Sequence, residues 1–357
     1  MHPNNNFQII RFILATLVLF SHSYQLIDGD ARREPLAKWC GFTLGHVAVC
    51  GFFILSGFLI AKSWDRQPHF GDFIVRRVAR IYPGFVICGI VCVFVVGPLG
   101  ALDASSYFQT CEFGSLSQML VLRWPRTPPA FLGWPYPSLN GSVWSIPYEF
   151  RCYVLVALLG IFGAFKRKAW LAGFILCACI ASCFVIPNFR PKSFLFVVFG
   201  EPDVLVTMGT VFLAGVGFYV FRNLIAYRMS YVFIAATCLF VGVALLPSNP
   251  ELPLAIAGGY LLLGFAHLNL ASLRVINLLP DFSYGLYLYG WPLQKISLWM
   301  YPSLQPVALF FLVVGPASLL GLLSWFCVEK HFLRKARAAT NNDKRVRFES
   351  ATANRAS

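Results

Sequence analysis

The stretch FQIIRFILATLVLFSHSY, residues 7–24, is an apolar run long enough to span a membrane, and it carries one arginine and one histidine. Arg11 and His22 are eleven residues apart. On a helix this spacing is three turns plus roughly 20°, so both side chains lie on one face about 16 Å apart. Ionisable groups inside a membrane helix are costly and often mark a pathway or a site. We therefore interpret this face as a candidate site. The alternative interpretation is that Arg11 reaches the lipid headgroups and His22 only bonds a neighbouring helix.

The composition is that of a membrane protein. The 357 residues are 58% hydrophobic and 12% charged, with a mean hydropathy of +0.67. These values exclude an ordinary soluble domain and predict an all-α polytopic membrane protein. The net charge of +14 does not indicate nucleic acid, because the basic residues follow the predicted topology. The 11 cysteines show no metal-ligand spacing and no disulfide framework, although Cys40 and Cys111 are both predicted outside and are candidates to pair.

Ten apolar windows of about 20 residues are long enough to cross a bilayer. They cover residues 7–27, 41–63, 83–101, 144–163, 169–186, 204–221, 229–246, 252–270, 281–300 and 305–328. With both termini inside, twenty of the 29 Lys and Arg residues fall in inner segments, and eight, including Lys295, fall in outer loops. The positive-inside rule therefore predicts about ten transmembrane helices with both termini in the cytoplasm. We expect one transmembrane domain, residues 1–335, and a basic, disordered cytoplasmic tail, residues 336–357.

A second cluster, RRVARIYP at residues 76–83, falls in a predicted inner segment just before the third window. On a helical turn, Arg76, Arg77 and Arg80 are neighbours at spacings of three and four. Guanidinium groups at this spacing suit the binding of phosphates. The alternative is an ordinary positive-inside anchor that contacts lipid phosphates.

A third cluster, SVWSIPYEFR, occupies residues 142–151. Glu149 lies about six residues into the fourth window from outside, and His22 lies about five residues from the outer end of the first. Counting along the windows therefore places both side chains at a similar depth. A histidine with a carboxylate partner is a plausible general base, because the carboxylate fixes the tautomer of the ring. The alternative is that Glu149 pairs with Arg151 or with the backbone and only supports the fold.

Three further segments complete the set of candidates. The segment FFILSGF, residues 52–58, places Ser56-Gly57 where a backbone or ligand can approach closely. The segment DFSYGLYLYGWP, residues 281–292, contains several tyrosines, whose hydroxyl groups are candidates to line a water-filled cavity or an interface. The aromatic loop, residues 123–136, is rich in Pro, Trp and Tyr and is a candidate for acceptor contact. Its alternative is an interfacial aromatic belt.

Taken in order, these segments resemble the acyltransferase-3 family of integral membrane acyltransferases. Six motifs of that family are present in the order and topology expected over residues 6–335. They are Arg11-x10-His22, Phe-Phe-x-x-Ser-Gly-Phe at 52–58, Arg-Arg-x-x-Arg-x-x-Pro at 76–83, Trp-Ser-x-x-x-Glu at 144–149, Ser-Tyr-x-x-Tyr-Leu at 283–288 and Glu329-Lys330 with Phe332.

The resemblance implies an enzyme that moves an acyl group, usually acetyl, from cytoplasmic acyl-CoA to a hydroxyl of an envelope, lipid-linked or secreted glycan. It implies a bacterial inner-membrane protein whose partners are a glycan acceptor and lipids, with no metal and no nucleic acid. The implied donor-binding residues are Arg11, Arg76, Arg77 and Arg80. His22 is implied as general base, with Glu149 as its partner or as a substrate ligand. The candidate substrate-binding residues are Ser56, Trp144 and Tyr284.

Two positions depart from the family pattern. An acidic residue often precedes Phe-Phe in the second helix, and here the position is Cys50. A histidine is common in the penultimate helix, and here the position is Gly290. Two alternatives to an enzyme stay open: a membrane carrier of acyl groups or glycolipid that works with a separate transferase, and an inactive relative. The sequence does not give the acceptor or the oligomeric state.

Overall fold

The computed structural model describes residues 6–185, 199–268 and 280–340 of the chain. Within these ranges the backbone is helical and contains no strand. Ten long helices follow one another: α1 Phe7–Asp28, α2 Leu44–Arg66, α3 Phe70–Gly100, α4 Ser142–Ile161, α5 Lys168–Cys183, α6 Pro202–Val220, α7 Met229–Leu245, α8 Glu251–His267, α9 Ser283–Met300 and α10 Pro306–Thr340. Shorter helical turns in the connections are Ala31–Arg33, Pro35–Cys40, Ala104–Thr110 and Phe113–Val121.

The helices of the described residues match the ten apolar windows one to one. Six of them, α1, α2, α3, α4, α6 and α10, are long and apolar enough to cross a membrane by length and composition. The helices α5, α7 and α8 are apolar but shorter. The all-α prediction is confirmed for the described residues, and the number of spans stays a prediction.

One predicted boundary was wrong. The third window was predicted to begin at residue 83, whereas α3 begins at Phe70, so its arginines lie on a helix instead of in a loop. The side chain of His69 caps this helix by accepting from the backbone N–H of Asp72 at 3.3 Å. At the other end of the chain, α10 continues to Thr340, and the domain boundary at 335 stays a prediction. The remainder of the predicted tail, residues 341–357, lies outside the described residues.

Contacts between helices fix their relative directions. Helices α1 and α9 are parallel, because contacts advance along both chains: Arg11 with Asp281, Leu19 with Gly290 and Ser23 with Gln294. Helices α1 and α2 are antiparallel, and so are α3 and α4, as shown by the pairs Leu14 with Gly51, Ser21 with Gly45, Tyr82 with Phe150 and Arg77 with Tyr153. Alternating directions are those expected of a chain that crosses a membrane repeatedly.

Helices α2 and α6 cross at backbone contact through two glycines. A Cβ added to Gly57 would overlap the carbonyl oxygen of Phe212, and one added to Gly215 would overlap the carbonyl oxygen of Ile54. The prediction that Ser56-Gly57 permits a close approach is therefore confirmed. Small residues at such a crossing let two membrane helices gain van der Waals contact along their length.

We expect Gly57→Ala to destabilise the protein by about 1–3 kcal/mol, because the added methyl meets backbone that cannot rotate away. The measurement is the thermal unfolding midpoint of the purified chain in detergent. Gly209→Ala on α6 is the matched control, since a Cβ there meets no atom within 4 Å. Equal midpoints for the two variants would contradict the close crossing.

Candidate active site

A cavity lies between α1, α2, α3, α4 and α9. Its walls are mostly aliphatic and aromatic, and its polar lining residues are Arg11, Ser56, Arg77, Arg80, Ser145, Glu149, Tyr153, Ser283, Tyr284 and Tyr287. Six of the nine predicted site residues therefore share one cavity. The other three, His22, Arg76 and Trp144, do not line it.

Two of the arginines in this cavity are neutralised by carboxylates of the chain. The Nη1 atom of Arg11 lies 2.6 Å from Asp281 Oδ2, and Arg80 Nη2 lies 2.8 Å from the same oxygen. Arg80 Nη1 also lies 3.1 Å from Oε2 of Glu329, which is fully buried. These pairs join α1, α3, α10 and the start of α9. Sequence reasoning named both arginines as phosphate ligands and missed their carboxylates, although both acids belong to segments that stood out in the sequence.

Arg77 differs from these two arginines. Within the described ranges it forms no salt bridge, and its Nε is buried without a hydrogen-bond partner. Its guanidinium lies over the rings of Phe73 and Tyr153, at 5.7 and 6.0 Å from their centroids. Its neighbour Arg76 instead donates to Gln67 Oε1 at 2.8 Å. A half-buried cation without a counter-ion is costly, so Arg77 is the position in the cavity best suited to receive a negatively charged ligand.

Glu149 is held by two hydroxyl groups inside the cavity. Ser56 Oγ donates to Glu149 Oε1 at 2.7 Å, and the Tyr153 hydroxyl donates to the same oxygen at 2.6 Å. The same serine oxygen lies 3.2 Å from the Tyr153 hydroxyl. This carboxylate is therefore oriented by α2 and by its own helix α4.

His22 lies outside the cavity, against Trp291. The two rings pack edge to face with centroids 4.8 Å apart. Among the described residues, His22 forms no hydrogen bond with Glu149, whose hydrogen-bond partners are Ser56 and Tyr153. The predicted pair of a histidine base and its carboxylate is therefore not formed.

The register of the helices shows that the predicted depth match was wrong. Gly45 on α2 faces Ser21, and Gly51 faces Leu14. Continuing this antiparallel register brings Ser56, and with it Glu149, to the turn of α1 near Arg11. Glu149 therefore lies roughly 16 Å from His22 along the bundle.

The reason lies in Asn140 and the first turn of α4, which are already inside the bundle. Asn140 is buried and donates from Nδ2 to the carbonyl of Leu288 at 2.8 Å. The Tyr287 hydroxyl donates to the carbonyl of Ser142 and lies 2.7 Å from Ser145 Oγ. The predicted depth of Glu149 assumed that the fourth helix begins at the outer membrane surface. Because the helix begins deeper in the bundle, Glu149 lies closer to the opposite membrane surface.

The two aromatic candidates have different positions. Tyr284 lines the cavity, and its hydroxyl donates to the carbonyl of Ile81 at 2.9 Å. Trp144 is 42% exposed and packs on Tyr148 with ring centroids 6.3 Å apart, outside the cavity. The cavity lining instead includes Ser145, the next residue of the same motif, which was not predicted as a site residue.

The aromatic loop is fixed over the end of the bundle that contains His22. Lys295 is predicted in an outer loop, but it lies within α9 and is 2% exposed. Its Nζ donates to the carbonyls of Tyr136 and Pro135 at 2.9 and 3.2 Å. The ring of Trp291 is 5.9 Å from that of Tyr136, which places the loop beside the partner of His22.

The connection between α1 and α2 also supports this end of the bundle. Glu34 is fully buried, and it accepts from Ser21 Oγ at 2.6 Å and from the backbone N–H of Leu44. Burial raises the pKa of Glu34, and the two hydrogen bonds oppose this shift. Since Ser21 precedes His22, the carboxylate fixes the turn of α1 that carries the histidine.

The two positions that depart from the family pattern have defined surroundings in the structure. Cys50 is buried with Sγ 3.8 Å from His46 Nε2, a nitrogen that also lies 3.1 Å from Glu251 Oε1. Gly290 faces Leu19, whose Cδ1 would lie 2.7 Å from an added Cβ, so α1 and α9 are close at this position. All eleven cysteines lie in the described ranges and are free, so Cys40 and Cys111 are not paired.

The chain is similar in sequence to several known proteins. An O-acetyl transferase of Shigella phage Sf6 is 27% identical over 347 residues, covering 94% of this chain and 98% of that protein. Nodulation protein 10 of Rhizobium leguminosarum bv. viciae is 27% identical over 371 residues, covering 91% and 92%. The acyltransferase MdmB of Streptomyces mycarofaciens is 32% identical over 163 residues, covering 42% and 38%. No solved structure matches the chain. The acyltransferase-domain family matches residues 4–326, and the chain belongs to this family of membrane acyltransferases.

Proposed function

We propose that the protein is a membrane O-acyltransferase that moves an acetyl group from cytoplasmic acetyl-CoA to a hydroxyl of an envelope, lipid-linked or secreted glycan. The observation that carries the proposal is the cavity in which half-buried Arg77, free of any salt bridge to the described residues, faces the space shared with Glu149. Membership of the acyltransferase family supports the reaction class. The name of the phage relative supports acetyl as the group transferred.

In this proposal each residue has a separate task. Arg77, with Arg76 nearer the start of α3, holds the phosphates of CoA, while Asp281 and Glu329 keep Arg11 and Arg80 in place. Substrate enters the cavity past Ser56 and Tyr284. Trp144 lies outside the cavity and has no task here.

The proposed reaction is direct transfer. The acceptor hydroxyl attacks the thioester carbonyl, and His22 takes the hydroxyl proton as general base. The tetrahedral intermediate then collapses with cleavage of the carbon–sulfur bond. CoA leaves as the thiolate and is protonated, and the acetyl ester stays on the acceptor. The aromatic loop near Trp291 is the proposed contact for the glycan.

We place the protein in the bacterial inner membrane with ten spans and both termini in the cytoplasm. The alternating helix directions support this topology, as does the excess of Lys and Arg in the segments assigned inside. In this orientation the cavity end with Arg77 faces the cytoplasm, and His22 faces the outer half of the bilayer.

The test is transfer of isotope-labelled acetyl from acetyl-CoA into glycan or glycolipid of membranes that contain the wild-type chain or an empty vector. We expect label only with the wild-type chain. Absence of label from all envelope fractions, with the protein folded in the membrane, would contradict the proposed donor and acceptor classes. A wild-type chain that exports acetyl groups only when a separate transferase is supplied would favour the carrier alternative.

A further inference from the structure

Three polar side chains follow one another along the bundle axis: Arg77 and Glu149, which line the cavity, and His22, which lies outside it. Arg77 lies level with Tyr153, which is one helical turn from Glu149, so Arg77 is about 6 Å further towards the proposed cytoplasmic side. Glu149 in turn lies roughly 16 Å from His22. Phosphate-binding and proton-accepting groups are therefore separated by about 22 Å, with Glu149 between them.

This separation matches the length of a CoA arm. About 13 bonds join the inner phosphorus of CoA to its sulfur, and at roughly 1.1–1.2 Å per bond the extended arm measures about 15 Å. The acetyl group and the contacts to an arginine at one end and a histidine at the other add several ångströms. A donor with phosphates at Arg77 and its thioester near His22 therefore passes Glu149.

Glu149 has one carboxylate oxygen available for such a ligand. Ser56 and Tyr153 both donate to Oε1, and no described residue donates to Oε2. A carboxylate oxygen in an apolar cavity requires an N–H or O–H donor. The arm has such donors near its phosphate end, namely a hydroxyl and the first amide N–H. The apolar walls, among them Phe53 and Ile60, suit the methyl groups beside that hydroxyl.

We propose that Glu149, oriented by Ser56 and Tyr153, binds the hydroxyl or amide N–H of the donor's pantetheine arm and does not transfer a proton to or from the acceptor. This inference rests on acyl-CoA as the donor in the proposed function. It assigns Glu149 to donor binding and leaves His22 without a carboxylate partner among the described residues.

The test is binding, which needs no acceptor. CoA, 4′-phosphopantetheine and 3′,5′-ADP are titrated separately into the purified full chain in detergent. We expect Glu149→Gln to weaken CoA and 4′-phosphopantetheine by the same factor of about 10, the value of one charge-assisted hydrogen bond, and to leave 3′,5′-ADP unchanged. Glu112→Gln, an exposed carboxylate outside the cavity, is the control and should change none of the three.

Ser56→Ala is a second variant that keeps the carboxylate but removes one of its two orienting bonds, and we expect a smaller loss of CoA affinity. Thermal unfolding of each variant verifies that it is folded. Wild-type affinity of Glu149→Gln for CoA would overturn the inference while leaving the proposed function intact. Failure of the wild-type chain to bind CoA would instead overturn the proposed donor, and the inference with it.

Discussion

Replacing His22 with alanine is expected to lower acetyl transfer by about 10²–10⁴-fold, the contribution typical of a general base. The amount of protein in the membrane should stay near the wild-type level. The ring packs on Trp291 and forms no hydrogen bond within the described ranges, so the fold depends little on it. The measurement is the initial rate of labelled acetyl transfer at saturating acetyl-CoA, normalised to the protein in the membrane.

Thr16→Ala is the matched control on the same helix, because among the described residues the Thr16 hydroxyl bonds only to the carbonyl of Phe12 one turn away. It should transfer acetyl at close to the wild-type rate. We also expect His22→Ala to keep most of its affinity for CoA, because the proposed contacts to the phosphates and to the pantetheine arm come from Arg77 and Glu149, which line the cavity. Transfer that persists in His22→Ala would remove the assignment of His22 as base and favour the carrier alternative.

Replacing Asp281 with asparagine is expected to destabilise the protein by about 3–5 kcal/mol, the cost of leaving a buried charge without its partner. One oxygen of Asp281 contacts both Arg11 and Arg80, so the substitution weakens two ion pairs at once. Arg80 keeps Glu329, whereas Arg11 has no second carboxylate among its described contacts. The measurement is the thermal unfolding midpoint together with the yield of monodisperse protein.

Asp65→Asn is the control for this experiment. Asp65 is 47% exposed and lies 4.0 Å from Arg222, a pair of the kind worth about 0–1 kcal/mol. Its Oδ2 also accepts from the Tyr219 hydroxyl at 2.7 Å, a hydrogen bond that the amide oxygen of asparagine can keep. A shift in midpoint for Asp281→Asn no larger than that of the control would mean that the buried network contributes little. Acetyl transfer by any folded Asp281→Asn protein should also fall, because both arginines form part of the cavity wall.

The helical architecture could be predicted from the sequence because it depends on local properties. A window of apolar residues must satisfy its backbone hydrogen bonds internally in a membrane, so each window predicts a helix. The small pair Ser56-Gly57 likewise predicted a close crossing, and Gly57 contacts the backbone of α6. The start of α3 was missed because its first turns are charged and hydropathy alone does not identify them.

The site could be predicted only in part. Which side chains pair depends on the position of each helix along its neighbours, and the motifs do not specify this register. The motifs named Arg11, Arg77, Arg80 and Glu149, which meet in one cavity. They did not show that Asp281 neutralises two of the arginines, because Asp281 and Arg11 are 270 residues apart in the sequence. They also did not show that Glu149 bonds Ser56 instead of His22.

By itself, the sequence determined that the chain is a helical membrane protein with an Arg/His face, a basic cluster and the ordered motifs of the acyltransferase family. These features depend on composition and on spacing within single helices. Only the tertiary structure shows that Arg77 is the arginine of the cavity without a salt bridge to the described residues. It also decides which side chains lie at the same depth along the bundle. Asn140, just before α4, is held inside the bundle by its hydrogen bond to the carbonyl of Leu288. The helix therefore begins deeper in the bundle, and Glu149 lies at the same depth as the arginines. Contacts between distant helices set that depth, and residue counts from a membrane surface do not contain it.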